Sequence, residues 1–140
     1  MKGQYRIITE IMLFAIGLSI TSYIVISFGN VQEVMMNITM KDNMNDIANL
    51  ILNGLIKSSM NINSTIKLSI PEKISNEEYK ISIKNDEIRI SSLKTGVYIV
   101  RQLFNISQSY SINTEVVSMA KFIEIVNENN EIKIKRSKRL

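Results

Sequence analysis

The 140-residue chain contains no cysteine and no histidine. Those absences exclude thiol and imidazole nucleophiles, Cys/His zinc sites and disulfides, the usual equipment of small hydrolases and metalloproteins. They leave the compartment open, because a chain without cysteine suits either side of a membrane. Acidic residues are also outnumbered: three Asp (Asp42, Asp46, Asp86) and ten Glu face 17 Lys plus Arg, for a net charge of +4. They form no paired-carboxylate motif for acid–base chemistry. The nearest clusters, Glu77-Glu78 and Glu128 with Glu131, fall in turn-like stretches and are expected to be solvated. The composition therefore predicts a protein that is not an enzyme and that carries no cofactor or metal.

What is present is a long apolar run, Ile7–Phe28, whose one charged residue is Glu10. At about 1.5 Å per residue these 22 residues make a helix of roughly 33 Å, enough to cross a hydrocarbon core of about 30 Å. A lone spanning segment must be a helix, since its backbone has to satisfy its own hydrogen bonds in lipid. Lys2 and Arg6 precede the run, whereas Gly29 to Met40 holds no Lys or Arg. This asymmetry places the N-terminus in the cytoplasm and the bulk of the chain outside. A cleaved secretory signal is the weaker reading, because the run exceeds a usual signal core and Ser27-Phe28-Gly29-Asn30 is a poor cleavage site.

Beyond Phe28 the helical period continues. Val31, Val34, Met35, Ile38, Met44, Ile47, Leu50, Ile51 and Leu55 recur at intervals of three and four among polar residues. This predicts one long helix, or two joined near Gly29-Asn30, with Lys41-Asp42-Asn43 as a candidate stop and restart capped by Asp42 or Asn43. From about Asn63 the period becomes two. Ile66, Leu68 and Ile70 alternate with polar residues before the only proline, Pro71; Tyr79–Ile83 and Ile88–Ile90 alternate around a turn at Asn85-Asp86-Glu87, which reads as a hairpin. Val97–Val100 begins another strand or a short helix, Glu115–Val126 is apolar enough for a strand, and Asn127–Asn130 turns it into Glu131–Lys135. The predicted fold is α+β: a long N-terminal transmembrane and amphipathic helix, then a small antiparallel sheet of five or six strands with the helix on one face. The parts are a basic leader (1–6), a transmembrane helix (7–28), an amphipathic extension (29–60), an extracytoplasmic β domain (61–135) and a basic tail (136–140).

This order of parts resembles the archaeal type IV pilin-like proteins. Met1-Lys2-Gly3, then Gln4, then an apolar helix with a glutamate in its first turns, is similar to the family's leader and anchor, and the stretch Ser69–Ile90, SIPEKISNEEYKISIKNDEIRI, is similar to a strand and hairpin associated with it. The resemblance implies processing between Gly3 and Gln4, residence at the cell surface, and a pilin or minor pilin subunit that assembles through its N-terminal helix.

Individual residues carry two readings each. Glu10 lies four positions after Arg6 and can pair with it on the same helix; alternatively it seeks a positive partner on a neighbouring subunit, because an ionisable group below the headgroups is costly alone. Ala15, Ser19 and Ser22 are small residues at helical spacing that would permit close helix contact, as in many single anchors. The triplets beginning at Asn37, Asn63 and Asn105 match the N-glycosylation pattern, although 15 Asn with 22 Ser plus Thr yield such triplets by chance. Lys133, Lys135, Arg136, Lys138 and Arg139 read first as a solvated end, second as a contact for anionic lipid headgroups or other envelope components. Nucleic acid is not expected, since the run is outside and lacks interleaved aromatics. The expected partners are thus the membrane and other subunits of the same kind. The alternative function is a monomeric, membrane-tethered binding module or a stator-like part of a surface machine.

Overall fold

α1 runs without interruption from Lys2 to Ser59. The computed structural model describes residues 2–61, 63–84, 86–103, 106, 110–118, 121–128 and 131–137, with side chains from Gln4 onward. Neither candidate break interrupts the helix. A Cβ added at Gly29 would meet nothing within 4 Å, so the residue costs helix propensity, about 1 kcal/mol against Ala, without serving a close contact. Across Lys41-Asp42-Asn43 the buried stripe Met40, Met44, Ile47, Ala48, Ile51, Leu55 keeps its three-and-four spacing, and the polar triplet lies exposed on the opposite side. Burial of that stripe outweighs the tendency of Asp and Asn to cap.

The chain divides into two compact units, Met1–Asn37 and Ile38–Leu140. In the second unit α1 ends where side chains from elsewhere meet its last carbonyls. Asn127 Nδ2 donates to Ser58 O at 2.8 Å and to Asn61 O at 3.1 Å, Ser64 Oγ donates to Ser58 O at 3.2 Å, and Tyr110 OH to Ser59 O at 2.7 Å. These bonds take up the carbonyls a helix leaves unpaired at its C-terminus. Asn63, with a φ of 57°, then turns the chain into the sheet.

Among the described residues seven strands follow: β1 (Ser64–Ser69), β2 (Tyr79–Lys84), β3 (Glu87–Ser92), β4 (Tyr98–Gln102), β5 (Thr114–Val117), β6 (Phe122–Glu128) and β7 (Glu131–Arg136). They form two antiparallel sheets, in the orders β1-β6-β7 and β4-β3-β2-β5, rather than the single sheet the alternation suggested. The α+β layout itself is as expected. The β2–β3 hairpin pairs Ile81 with Ile90 and Ile83 with Ile88, all four buried, and Asp86, with a φ of 68°, stands in its turn before β3. Glu87 belongs to the strand and not to the turn.

The stretch Glu115–Val126 is two strands in two different sheets. The division falls at Ser118, which is fully buried. Its Oγ accepts from Tyr79 N at 3.0 Å and donates to Glu72 O at 2.9 Å, so a polar side chain takes over the ladder and the chain leaves β2. The two sheets meet where β5 approaches β7: Thr114 Oγ1 donates to Ile134 O at 3.0 Å and Ile132 N to Ser111 O at 3.2 Å. One apolar cluster serves both sheets and the buried stripe of α1. Gly54 is the point of closest approach. A Cβ there would lie 2.7 Å from Ile125 Cδ1 and 2.8 Å from Leu68 Cδ1, so its missing side chain lets α1 settle on β1 and β6.

Candidate functional site

The first unit is a helix that buries nothing. From Gln4 to Met36 every side chain is exposed except half-buried Ser27, including Ile7, Phe14, Ile20 and Phe28. α1 is long and apolar enough to cross a membrane. Arg6 Nε lies 3.4 Å from Glu10 Oε1 with both side chains exposed, so the pair predicted from their spacing forms within the helix. Ser19 Oγ donates to Ala15 O at 2.9 Å and Thr21 Oγ1 to Gly17 O at 2.8 Å. Their hydroxyls are thereby satisfied inside the helix and need no second chain to be tolerated in hydrocarbon. Ala15, Ser19 and Ser22 lie on this helix with no covering side chain, and Gly17 has open space around it. Gly3 and Gln4 both lie within α1.

Apolar residues continue past the length of a bilayer. Val31, Val34 and Met35 are 53%, 57% and 64% exposed. A hydrocarbon core of about 30 Å accommodates about 20 helical residues, a length that Ile7–Phe28 already fills. A span placed at Ile7–Phe28 would leave the face formed by residues 31, 34 and 35 beyond it.

The second unit offers three polar or amphipathic features. Asn43, Asp46, Ile47 and Leu50 of α1, with Pro71, Lys73, Ile74 and Ser75, line an open groove of about 470 Å³ whose floor is apolar and whose rim is charged. On the outer face of the four-stranded sheet, Glu115 pairs with Lys80 at 2.7 Å and Lys84 at 3.7 Å, and the hydrogen bond from Lys80 holds its carboxyl below the usual range. The third feature is Glu77, expected to be solvated and in fact 8% exposed. Ile74 and Glu77 exchange backbone hydrogen bonds at 2.9 Å around Ser75 and Asn76, both at positive φ, and this tight turn aims the carboxylate inward. Glu77 Oε2 accepts from Ser92 Oγ at 2.5 Å and from Thr95 Oγ1 at 3.0 Å, while Ser92 Oγ accepts from the backbone N–H groups of Lys94 and Thr95. The Ser92 hydrogen bond lowers the Glu77 pKa below its ordinary 4.5. Glu77 Oε2, Ser92 Oγ and Thr95 Oγ1 thus tie the loop after β3 to the Ile74–Glu77 turn.

The basic run lies on a strand. Lys133, Lys135 and Arg136 belong to β7, exposed, and Lys133 Nζ lies 2.7 Å from Glu131 Oε2. Lys138 and Arg139 fall outside the described residues, as does Asn105. Asn37 is half-buried within α1, whereas Asn63 is exposed at the turn into β1. Among the described residues no three carboxylates gather to hold a metal ion. The sequence signals for Glu77 and Asn127 were faint, since a buried acid and a capping amide look like turn residues; Gly54, an isolated glycine in a helical stripe, was the more legible.

Compared with family models, curated proteins and solved structures, the chain matches none.

Proposed function

We propose that this chain is a membrane-anchored, type IV pilin-like surface protein, non-enzymatic, that assembles with copies or relatives of itself through its N-terminal helix. In this reading residues 7–28 span the membrane with the N-terminus cytoplasmic, the β domain faces the outside, and Lys2-Gly3-Gln4 is the processing site. The observation that carries it is the fully uncovered helix of the first unit, whose apolar face runs on to Val31, Val34 and Met35 beyond the bilayer's reach. Left in water, that face is costly. Copies tethered in one membrane are parallel and at equal height, so the same residues meet without any search in register. In such an assembly Glu10 exchanges Arg6 for a positive group of a neighbour, where breaking a buried pair would weaken assembly.

The cysteine-free sequence makes the test direct. Single substitutions Val31→Cys, Val34→Cys and Met35→Cys in membrane-embedded protein should give disulfide-linked dimers on mild oxidation, several-fold more than Glu33→Cys. Absence of cross-linking at all four positions would overturn assembly through this helix.

A second reading, the monomeric tethered module, is favoured by the groove between α1 and the Pro71–Ser75 loop, a concave surface with an apolar floor on the unit that would face the envelope. Exposed Lys135 and Arg136 would add attraction to anionic envelope components.

A further inference from the structure

We infer that Asn63 is a site of N-linked glycosylation, and that Asn37, which has the same three-residue signature, is not. The inference rests on the outward orientation of the β domain given above. A transferase reads the acceptor amide and the hydroxyl two residues later together, so the two side chains must be presentable on one side of an accessible backbone. In a helix, residues i and i+2 stand about 200° apart around the axis and cannot be presented so. Asn37 and Thr39 are held in that arrangement in the interior of α1, and Asn37 is half-buried.

Asn63 is placed differently. It is the turn residue between α1 and β1, it is exposed, and its φ of 57° belongs to the left-handed region that a short polar residue tolerates. Its side-chain amide makes no hydrogen bond to the described residues. Thr65 is exposed on the outer face of β1, while Ser64 between them points back and bonds Ser58. Beside the pair lies a surface depression of about 270 Å³ lined by Asn63, Thr65, Val126, Asn127 and Glu128. Val126 offers an apolar floor for the C–H face of a sugar ring, and Glu128 an acceptor for its hydroxyls.

The donor class is a glycan carried on a polyprenyl phosphate or pyrophosphate. Asn63 Nδ2 forms a bond to the anomeric carbon as the bond from that carbon to the phosphate oxygen breaks. The electron pair leaves with the lipid phosphate, and the proton lost from Nδ2 passes to the transferase base. The product has a physical use here. β1 is an edge strand, pairing only with β6 among the described residues, and a bulky hydrated group on the residue just before it obstructs addition of a foreign strand.

The test is peptide and intact-mass analysis of the full chain from the membranes of its native host. The peptide containing Asn63 should carry a mass increment of sugar residues. The increment should vanish in Asn63→Gly, which keeps the backbone conformation, and in Thr65→Ala, and should persist in Thr65→Ser and Asn37→Gln. Asn113→Cys, at an exposed position in the same unit, reports orientation by labelling of intact cells with a membrane-impermeant maleimide. A labelled cysteine with an unmodified Asn63 overturns glycosylation and leaves the orientation standing. An unlabelled cysteine with an unmodified Asn63 overturns both. An increment on Asn37 instead overturns the argument from helix geometry.

Discussion

Two stretches of the same helix, residues 4–36 and 40–55, are built from the same kinds of apolar residue and end in opposite environments. Ile20 is 56% exposed; Ile51 is fully buried. In the first stretch apolar residues surround the helix and no described part of the chain covers any face of it, which suits an apolar solvent or the neighbouring helices proposed above. In the second they are confined to one stripe, with Lys41, Asp42, Asn43, Asp46 and Asn53 exposed around it. The difference shows that amount of hydrophobicity selects the solvent, while its angular distribution selects the packing partner.

The sharpest way to break the comparison is one substitution made at both places. Ile51→Ala removes a side chain from the packed core and should lower the unfolding free energy of the β domain by about 2–5 kcal/mol in chemical denaturation. Ile20→Ala should leave that value unchanged, because among the described residues nothing beyond its own helix covers the side chain. Equal losses at the two sites would mean that the exposed stretch also folds onto protein.

A smaller effect is expected where α1 ends. Asn127 is 1% exposed and its amide serves two carbonyls. Asn127→Ala leaves Asn61 O to find another donor and Ser58 O with Ser64 Oγ and the Asn61 N–H alone, and should cost about 1–3 kcal/mol, with hydrogen exchange accelerating first in the last turn of α1. An unchanged exchange pattern would show that Ser64 and Tyr110 hold the helix end without it.

The smallest expected effect is on acid stability. Glu77 and Glu115 both have folded pKa values below the ordinary 4.5. A carboxyl of this kind stabilises the fold where it is ionised in both states, above its unfolded pKa, and the contribution fades as pH falls from there through the lower folded value. The melting temperature should therefore be flat above about pH 5 and decline below about pH 4.5. Glu77→Gln should shallow that decline more than Glu115→Gln, whose parent is 43% exposed and solvent-screened. Identical acid limbs in all three proteins would deny Glu77 its buried hydrogen bonds.

Much of this was visible in residue order. The apolar run, the stripe after it, the hairpin Ile81/Ile90 and Ile83/Ile88, and the Arg6–Glu10 pair follow from periods of 3.6 and 2 and from a spacing of four. The partition into two sheets was not, because it is decided by pairings distant in the chain: β1 pairs with β6, some sixty residues away, and β2 with β5. Alternation says which face is buried and nothing about which strand lies alongside. Ser118 shows the same limit. A serine among valines and isoleucines is compatible with a continuous strand, and only its bonds to Tyr79 and Glu72 reveal the point of departure. Glu77 read as solvated because its turn is polar, and the hydroxyls that bury it come from Ser92 and Thr95.

The ligature at the end of α1 has a mechanical meaning. Were the chain anchored by its helix, as proposed, any pull would come through that helix and arrive first at its final turn. There the load does not pass only along the backbone into β1. Asn127 of β6 grips the carbonyls of Ser58 and Asn61, and Tyr110 grips that of Ser59, so tension is divided among segments far apart in the chain. Peeling β1 from the edge of its sheet, the easy route for a force applied at one strand, then requires these side-chain bonds to part as well, which raises the force the fold withstands.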